Sequence, residues 1–406
     1  MPVSRRVAIT GVGLVTSLGT TREATWSAML AGTCGIGPVT VFDPTGYRSR
    51  IAGEVCLEEV TRTMPPLHRR RWSRSDQFGV AAAAEAFDDS GVLAHGVDRT
   101  RVGVILGAGT ADLLRNERFL FRALDHGMER GRRSDVWNHF PNTPVDVIAA
   151  HFQLEGARSC VVAACSSSTI AIGQAMSAIR HGRLDAAVAG GTDALARLTF
   201  SGFNALRLMD LEPCRPFDRA RNGMSIGEGA GMLVLEDMEH ARMRGAHIYG
   251  ELAGYSLACE AFHPTAPEPD GRTVASMIQQ ALDDARCAAA EVDHINAHGT
   301  ATPQNDRAEA RGFSAVLGGR ARDVLVTSVK SMVGHCLGAA GGVEAAVTAL
   351  SVARGVVPPT VHFEEPDPEC DVEIVAGDAR ERRIRCAVST SLAFGGNDAA
   401  LVIRAL

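Results

Sequence analysis

Lysine is all but absent from this chain: of 41 basic residues only Lys330 is a lysine, and the rest are arginine. The two are interchangeable on a wet surface, but not where a compact ammonium must occupy a tight site. One spared lysine is compatible with drift, and equally with a position that only an ammonium fills; the residues around Lys330 favour the second. Aromatic side chains are scarce (5%), and no apolar stretch is long enough to span a bilayer. A basic excess is missing too. The net charge of −6 gives no support for nucleic acid as the main partner. The ten cysteines stand singly, with no CxxC pair and no His/Cys cluster at zinc spacing, so no metal site is expected. Met1–Arg6 lead directly into the apolar run Val7–Val12 without a secretory hydrophobic region, and the expectation is a cytosolic protein with reduced thiols.

What is present is the balance of an ordinary globular protein. The 406 residues are 46% hydrophobic and 22% charged, enough for two or three core-forming units. Glycine is abundant (42 residues), and alanine runs such as Ala81–Ala84 let elements approach closely. Val7–Val12, Val102–Leu106, Ser159–Ala163, Ala186–Ala189, Gly231–Leu235, Val324–Thr327 and Ala399–Ile403 read as short buried strands. Thr169–His181, Val274–Arg286 and Val343–Ala353 read as helices between them. That alternation predicts an α/β protein with mainly parallel sheets covered by helices. The polar segment Glu239–His247 precedes a fresh strand at Ile248–Tyr255 and divides the chain into 1–250 and 251–406. No internal repeat is visible. The Arg-rich, weakly periodic stretch Arg115–Asn142 reads as an insertion on the surface or at a subunit interface.

Four segments carry chemistry. In Ser159-Cys-Val-Val-Ala-Ala-Cys165-Ser-Ser-Ser-Thr-Ile170 an apolar strand ends at a cysteine, and a helix begins after the serines. A side chain on such a sharp turn is exposed for attack, and the helix N-terminus favours a thiolate or an oxyanion. Taken alone, Cys165 is more simply a buried structural cysteine beside an N-capping serine. Asn296-Ala-His298-Gly-Thr300-Ala-Thr302 and Ser328-Val-Lys330-Ser-Met-Val-Gly-His335 shift that balance. Each places a histidine on a strand-end loop beside glycine, where sites assemble at one edge of a sheet. A thiol with two imidazoles could form a thioester and then act on a second acyl group. Finally, Phe394-Gly-Gly-Asn-Asp398 is a turn whose backbone could approach a ligand and offer N–H donors; by itself it is an ordinary hairpin.

Together these segments resemble the β-ketoacyl synthases, the elongating ketosynthases of fatty acid and polyketide assembly. The resemblance runs from Ile9-Thr-Gly-Val-Gly13 to Phe394-Gly-Gly396 and includes Pro216-Phe-Asp218 and Gly227-Glu-Gly-Ala-Gly231, which are structural in that family. It implies the thiolase fold, two similar βαβαβ halves in a layered α-β-α-β-α sandwich, assembled as a dimer. The N-terminal half would hold the nucleophile and the C-terminal half both histidines. By resemblance Cys165 accepts the acyl group, and His298 and His335 activate a malonyl-carrier protein for decarboxylation. The N–H groups of Cys165 and Phe394 would form an oxyanion hole, with the Phe394 ring as a gate. Thr300 and Thr302 match the hydroxyls that bind the phosphopantetheine arm of the carrier, and Phe203 and Glu309 are placed with the substrate-contacting residues. Lys330 matches the family's site lysine, with Glu309 as the acidic group near it. Arg69, Arg70, Arg71 and Arg207 resemble positions that dock an acidic carrier protein, and Arg130, Arg132 and Arg133 are weaker candidates. No bound cofactor is implied beyond that arm.

Three departures stand out. Ala301 replaces the second glycine of the usual His-Gly-Thr-Gly-Thr. The common Phe-Gly-Phe-Gly-Gly-Thr-Asn tail reads Leu392-Ala393-Phe394-Gly-Gly-Asn397-Asp398 here, and Asn305-Asp306 leans towards polyketide-type or aryl-polyene-type synthases. Other readings fit less well. A plain α/β binding protein needs neither Cys165 nor the histidines, and a chain-length factor usually lacks the nucleophile. A thiolase uses two cysteines, the priming type III synthases use His and Asn, and a cysteine peptidase has no task for the second histidine. A subunit active only beside a chain-length factor, or a non-elongating acyltransferase of the same fold, stays open.

Overall fold

The computed structural model describes residues 5–62, 64–110, 113–131, 135–136 and 140–406, with the side chains of Pro66, Leu67, Arg69 and His95 outside that description. Eleven strands form the main sheet: β1 (Val7–Val15), β2 (Val102–Gly107), β3 (Arg158–Val161), β4 (Ala186–Asp193), β5 (Gly229–Asp237), β6 (Gly250–Cys259), β7 (Val292–Asn296), β8 (Leu325–Thr327), β9 (Glu373–Ile374), β10 (Cys386–Ser391) and β11 (Asn397–Arg404). β1, β4 and β7 are buried at every position, as expected for strands covered on both faces.

From its centre outward the sheet reads β1-β5-β4-β2-β3 in one direction and β6-β11-β10-β7-β8-β9 in the other. The strand senses repeat as well. β1/β5 and β5/β4 are antiparallel while β4/β2 and β2/β3 are parallel; β6/β11 and β11/β10 are antiparallel while β10/β7 and β7/β8 are parallel. Among the described residues, the strands of the two arms pair only where Ala8 and Ile9 meet Glu251 and Gly250. The sequence shows no repeat, yet the topology is one unit used twice.

Helices complete five layers. α1 (Arg74–Ser90) covers the outer face of the first arm, over a core of Val104, Val188, Met232 and Phe78. It starts at a capping box between Ser73 and Asp76 and stops at Gly91 in the left-handed conformation. α2 (Leu113–His126) lies beyond β2; α3 (Ser167–Arg180) and α7 (Ala340–Arg354) fill the centre, sharing a core with both arms. Between them in sequence, α4 (Arg197–Ala205) borders the site, and α5 (Arg272–Ala285) and α6 (Pro303–Leu317) cover the second arm. No helix among the described residues is long and apolar enough to cross a membrane.

Arg115–Asn142 is less irregular than its composition suggests. Its first part is α2, which presents Leu120, Phe121, Leu124 and, just beyond, Met128 to solvent. The strand expected at Ser159–Ala163 ends at Val161, because the chain leaves the sheet there for the Cys165 turn.

Candidate active site

Cys165 sits where β3 hands over to α3. A single 3-10 turn, Ala164–Ser166, is entered through Ala164 at φ +48°. A residue with a Cβ in that region costs about 1–3 kcal/mol and persists only where its surroundings enforce it. The serines do so. Ser167 Oγ accepts the Ala163 N–H (2.8 Å) and donates to the Ala164 carbonyl (2.7 Å), and Ser166 Oγ donates to the Ala163 carbonyl (2.9 Å). They brace the turn; the N-cap residue Ser166 makes no side-chain cap bond. Gly107, at the end of β2, lets the turn lie this close, since a Cβ there would collide with the Ser168 backbone. Gly107→Ala is therefore expected to lower stability by about 1–3 kcal/mol in chemical denaturation, with slower alkylation of Cys165.

His298 follows β7 through Ala297. Glu309 on α6 fixes it from behind: its carboxylate accepts the N–H groups of His298 (2.8 Å) and Gly299 (2.6 Å), together with Asn305 Nδ2 and the Thr390 hydroxyl. Burial pushes Glu309 up to about 7 against these donors. His335 follows the short helix Lys330–Val333 and Gly334. The Leu337 N–H donates to His335 Nδ1 (3.2 Å), which leaves the proton on Nε2, buried and without a partner. Lys330 Nζ lies 3.3 Å from His298 Nδ1 and leaves that ring's proton on Nε2 as well. Burial first, then the charge of Lys330, hold both imidazoles well below their ordinary pKa, and His335 depresses His298 further. Both rings are neutral donors at pH 7.

The two rings meet edge to face, 5.2 Å between centroids, and a nitrogen of each lies with Cys165 Sγ inside a set no more than 4.8 Å across. Burial pushes the Cys165 thiol up to about 12, opposed by the Lys330 charge and by the Phe394 N–H, which donates to it. Cys165 therefore rests as a thiol.

Thr300, Thr302, Phe203 and Phe394 line one cavity with Cys165, His298 and His335. Phe203 on α4 packs against Phe394 at 5.7 Å between ring centroids, and the two threonine hydroxyls are 3.1 Å apart. Lys330 and Glu309 stand behind this lining. Glu309, set by the resemblance near Lys330 and with the substrate-contacting residues, stands outside the cavity lining, and both its oxygens accept hydrogen bonds at the His298 loop. Lys330 instead forms an ion pair with Glu344 of α7 and donates to the His298 carbonyl (2.6 Å). Sequence reading missed Glu344, although it is the one charged residue between Ala340 and Ala353. It also missed Glu260, Asp398 and the loop 263–267, which complete the cavity wall.

Ala301 adopts φ +65°, in the left-handed region that glycine favours. Its N–H donates to Asp306 (3.1 Å), and its methyl group packs with Ile36 and Cys214. Arg207 is exposed, one residue before the cavity-lining Leu208; Arg70 and Arg71 are exposed on the short helix Pro66–Arg71. The side chain of Arg69, and Arg132 and Arg133, lie outside the described residues.

The family model described as Beta-ketoacyl synthase, N-terminal domain, matches residues 4–241, and that of the C-terminal domain matches 249–364. The chain belongs to the β-ketoacyl synthase family. It is 37% identical to the 3-oxoacyl-[acyl-carrier-protein] synthase 2 of Synechocystis sp., over 98% of both chains. It is 38% identical to the tetracenomycin polyketide synthase ketoacyl synthase alpha subunit of Streptomyces glaucescens, over 98% of this chain and 97% of the relative. The solved ishigamide ketosynthase/chain length factor superposes with a TM-score of 0.94 at 35% identity, covering 99% of this chain and all of the other. As a β-ketoacyl synthase the chain has the thiolase fold, to which the five layers correspond, and is an acyltransferase by class.

Proposed function

We propose that this chain condenses an acyl thioester with malonyl-acyl carrier protein by decarboxylative Claisen chemistry, through an acyl-Cys165 intermediate, in fatty acid or type II polyketide assembly. The observation that carries the reading is one thiol facing two neutral imidazoles, each keeping its proton on Nε2. In the first half-reaction Cys165 Sγ attacks the acyl carbonyl, and the thiol proton ends on the released phosphopantetheine thiol. The N–H groups of Cys165 and Phe394 receive the carbonyl oxygen. In the second, the malonyl Cα–carboxylate bond breaks, CO2 leaves, and the electron pair is held as an enolate whose oxygen accepts the two Nε2–H bonds. The carbanion then forms the new C–C bond at the acyl-Cys165 carbonyl, and the C–S pair returns to sulfur beside Lys330. The same three ligand atoms could suit a metal ion, but the Lys330 charge against His298 disfavours a cation there.

His298→Ala or His335→Ala is expected to slow decarboxylation of malonyl-carrier protein by about 10²–10³-fold, the usual cost of one such donor. Normal decarboxylation in both variants would overturn these roles. Thr300 and Thr302 are read as contacts of the phosphopantetheine arm, and Arg69, Arg70, Arg71 and Arg207 as the carrier-docking face. The exposed Leu120, Phe121, Leu124 and Met128 favour a partner on α2, either a second copy or a chain-length factor. We divide the chain at 250/251; the repeated strand order supports two halves, and the family matches leave 242–248 between them, just before β6 begins at Gly250. Ten unpaired thiols fit a cytosolic protein.

The deciding experiment is mass spectrometry of the purified protein with malonyl-carrier protein and a panel of acyl-carrier proteins. A β-ketoacyl product means a self-sufficient synthase. Acylated Cys165 without product means a missing partner, or a non-elongating acyltransferase if malonyl groups are left intact. The absence of both acylation and product would overturn the reading.

A further inference from the structure

Two acids in the cavity wall have no task in this mechanism. Asp398 is the second residue of β11, just after the Phe394 loop, and is 1% exposed, and Glu260 follows β6 on the neighbouring strand. Asp398 Oδ1 accepts the Ala393 N–H (3.2 Å), closing the turn that carries Phe394. Glu260 Oε2 accepts the Glu268 N–H (3.1 Å). The remaining oxygens, Asp398 Oδ2 and Glu260 Oε1, are fully buried and have no donor, and the pairing of Asn397 with Cys259 brings the two acids together in the wall of one cavity. Two carboxylates cannot bond to each other; a carboxyl and a carboxylate can. The backbone joins the same two loops, through Glu260 N–H to the Gly396 carbonyl (3.0 Å) and Gly395 N–H to the Pro264 carbonyl (2.9 Å).

We propose that Asp398 and Glu260 share one proton, and that this clasp holds the Phe394 loop against the loop 260–267 at the cavity mouth. Asp398 is thus a positioning residue for Phe394, acting through the Ala393–Asp398 turn; the functional half of this inference rests on the reading of the site given above. Burial and then Glu260 push Asp398 up to about 8, and burial raises Glu260 too. The other charges acting on the pair are acidic: Glu309 from α6, and Glu268, itself engaged by Arg272. His263 stands exposed in the same wall with its Nδ1 occupied by the Thr265 and Ala266 N–H groups. Loss of the shared proton leaves two like charges in a buried contact, which drives the loops apart and frees Phe394.

The test uses the full-length chain and the variants Asp398→Asn and Glu260→Gln. Each supplies an amide donor to the remaining carboxylate. For an acid with a raised folded pKa, stability is fully present below the unfolded value and is lost as pH rises to the folded one. The melting temperature of the wild type should therefore fall relative to both variants between about pH 4 and pH 8, by several degrees, and run parallel above pH 9. The KM for acylation of Cys165 by an acyl-carrier protein should show an inflection near pH 8 in the wild type that both variants lack. Parallel melting curves throughout, or an inflection retained in both variants, would overturn the clasp. Diverging melting curves with no acylation in any form would leave the shared proton standing and overturn the functional reading instead.

Discussion

Cys165→Ala is expected to lose the acyl-enzyme completely and to lower condensation by about 10⁴-fold or more, the scale on which removal of a nucleophile acts. The elbow should survive, because Ser166 and Ser167 bond to the backbone and not to the sulfur. The two Nε2–H donors keep their positions too, since His298 is fixed by Glu309 and Lys330 and His335 by the Leu337 N–H. Malonyl-carrier protein should therefore still lose CO2 on the variant, giving acetyl-carrier protein without a condensed product. Intact-mass measurement of protein and carrier checks both halves of this expectation. Acylation at another residue, or loss of decarboxylation in a folded Cys165→Ala protein, would show that the thiol and imidazoles do not divide the work as described.

The second large effect is expected at Lys330. Lys330→Met leaves Glu344 buried and uncompensated, and should cost about 3–5 kcal/mol of stability, read by chemical denaturation. Its charge also holds down His298 and His335, so in the variant both imidazoles protonate at higher pH. The acid limb of the decarboxylation profile should then move to higher pH. Lys330→Arg keeps the charge but fails differently: the side chain is 2% exposed, and a planar fork cannot replace an ammonium bonded to a carbonyl, an imidazole and a carboxylate. The double variant Lys330→Met/Glu344→Met separates the two roles. Replacing a buried pair by apolar side chains is often neutral, so stability should return while decarboxylation does not. Recovery of both would reduce Lys330 to charge balance for Glu344.

Glu344 also shows why part of the site was hidden. A charged residue in an otherwise apolar helix is visible in the sequence, but its partner is not, because α7 meets the Lys330 turn only after both arms have closed around it. Glu309 is the acid that the resemblance sets near Lys330, and it accepts the backbone N–H groups of the His298 loop while Glu344 pairs with the lysine. The clasp of Asp398 and Glu260 has the same character. Each acid stands at the edge of an ordinary strand, and only the β6/β11 pairing brings them together.

The sequence by itself determined the local units: strands at continuous apolar runs, helices between them, and a turn at each place where a strand gives way to serine or glycine. It also singled out Cys165, His298 and His335, each in a local pattern at a strand end, and the structure brings the three to one cavity. The repeated topology had to come from tertiary structure, since two arms can share strand order and sense while sharing no visible residue pattern; burial and connection length fix topology, and many sequences satisfy them. Tertiary structure alone also decided which acid faces which base, and where each imidazole keeps its proton. Those depend on distances of a few ångströms between residues far apart in the chain, and hydrogen bonding and desolvation act over that range and not along the sequence.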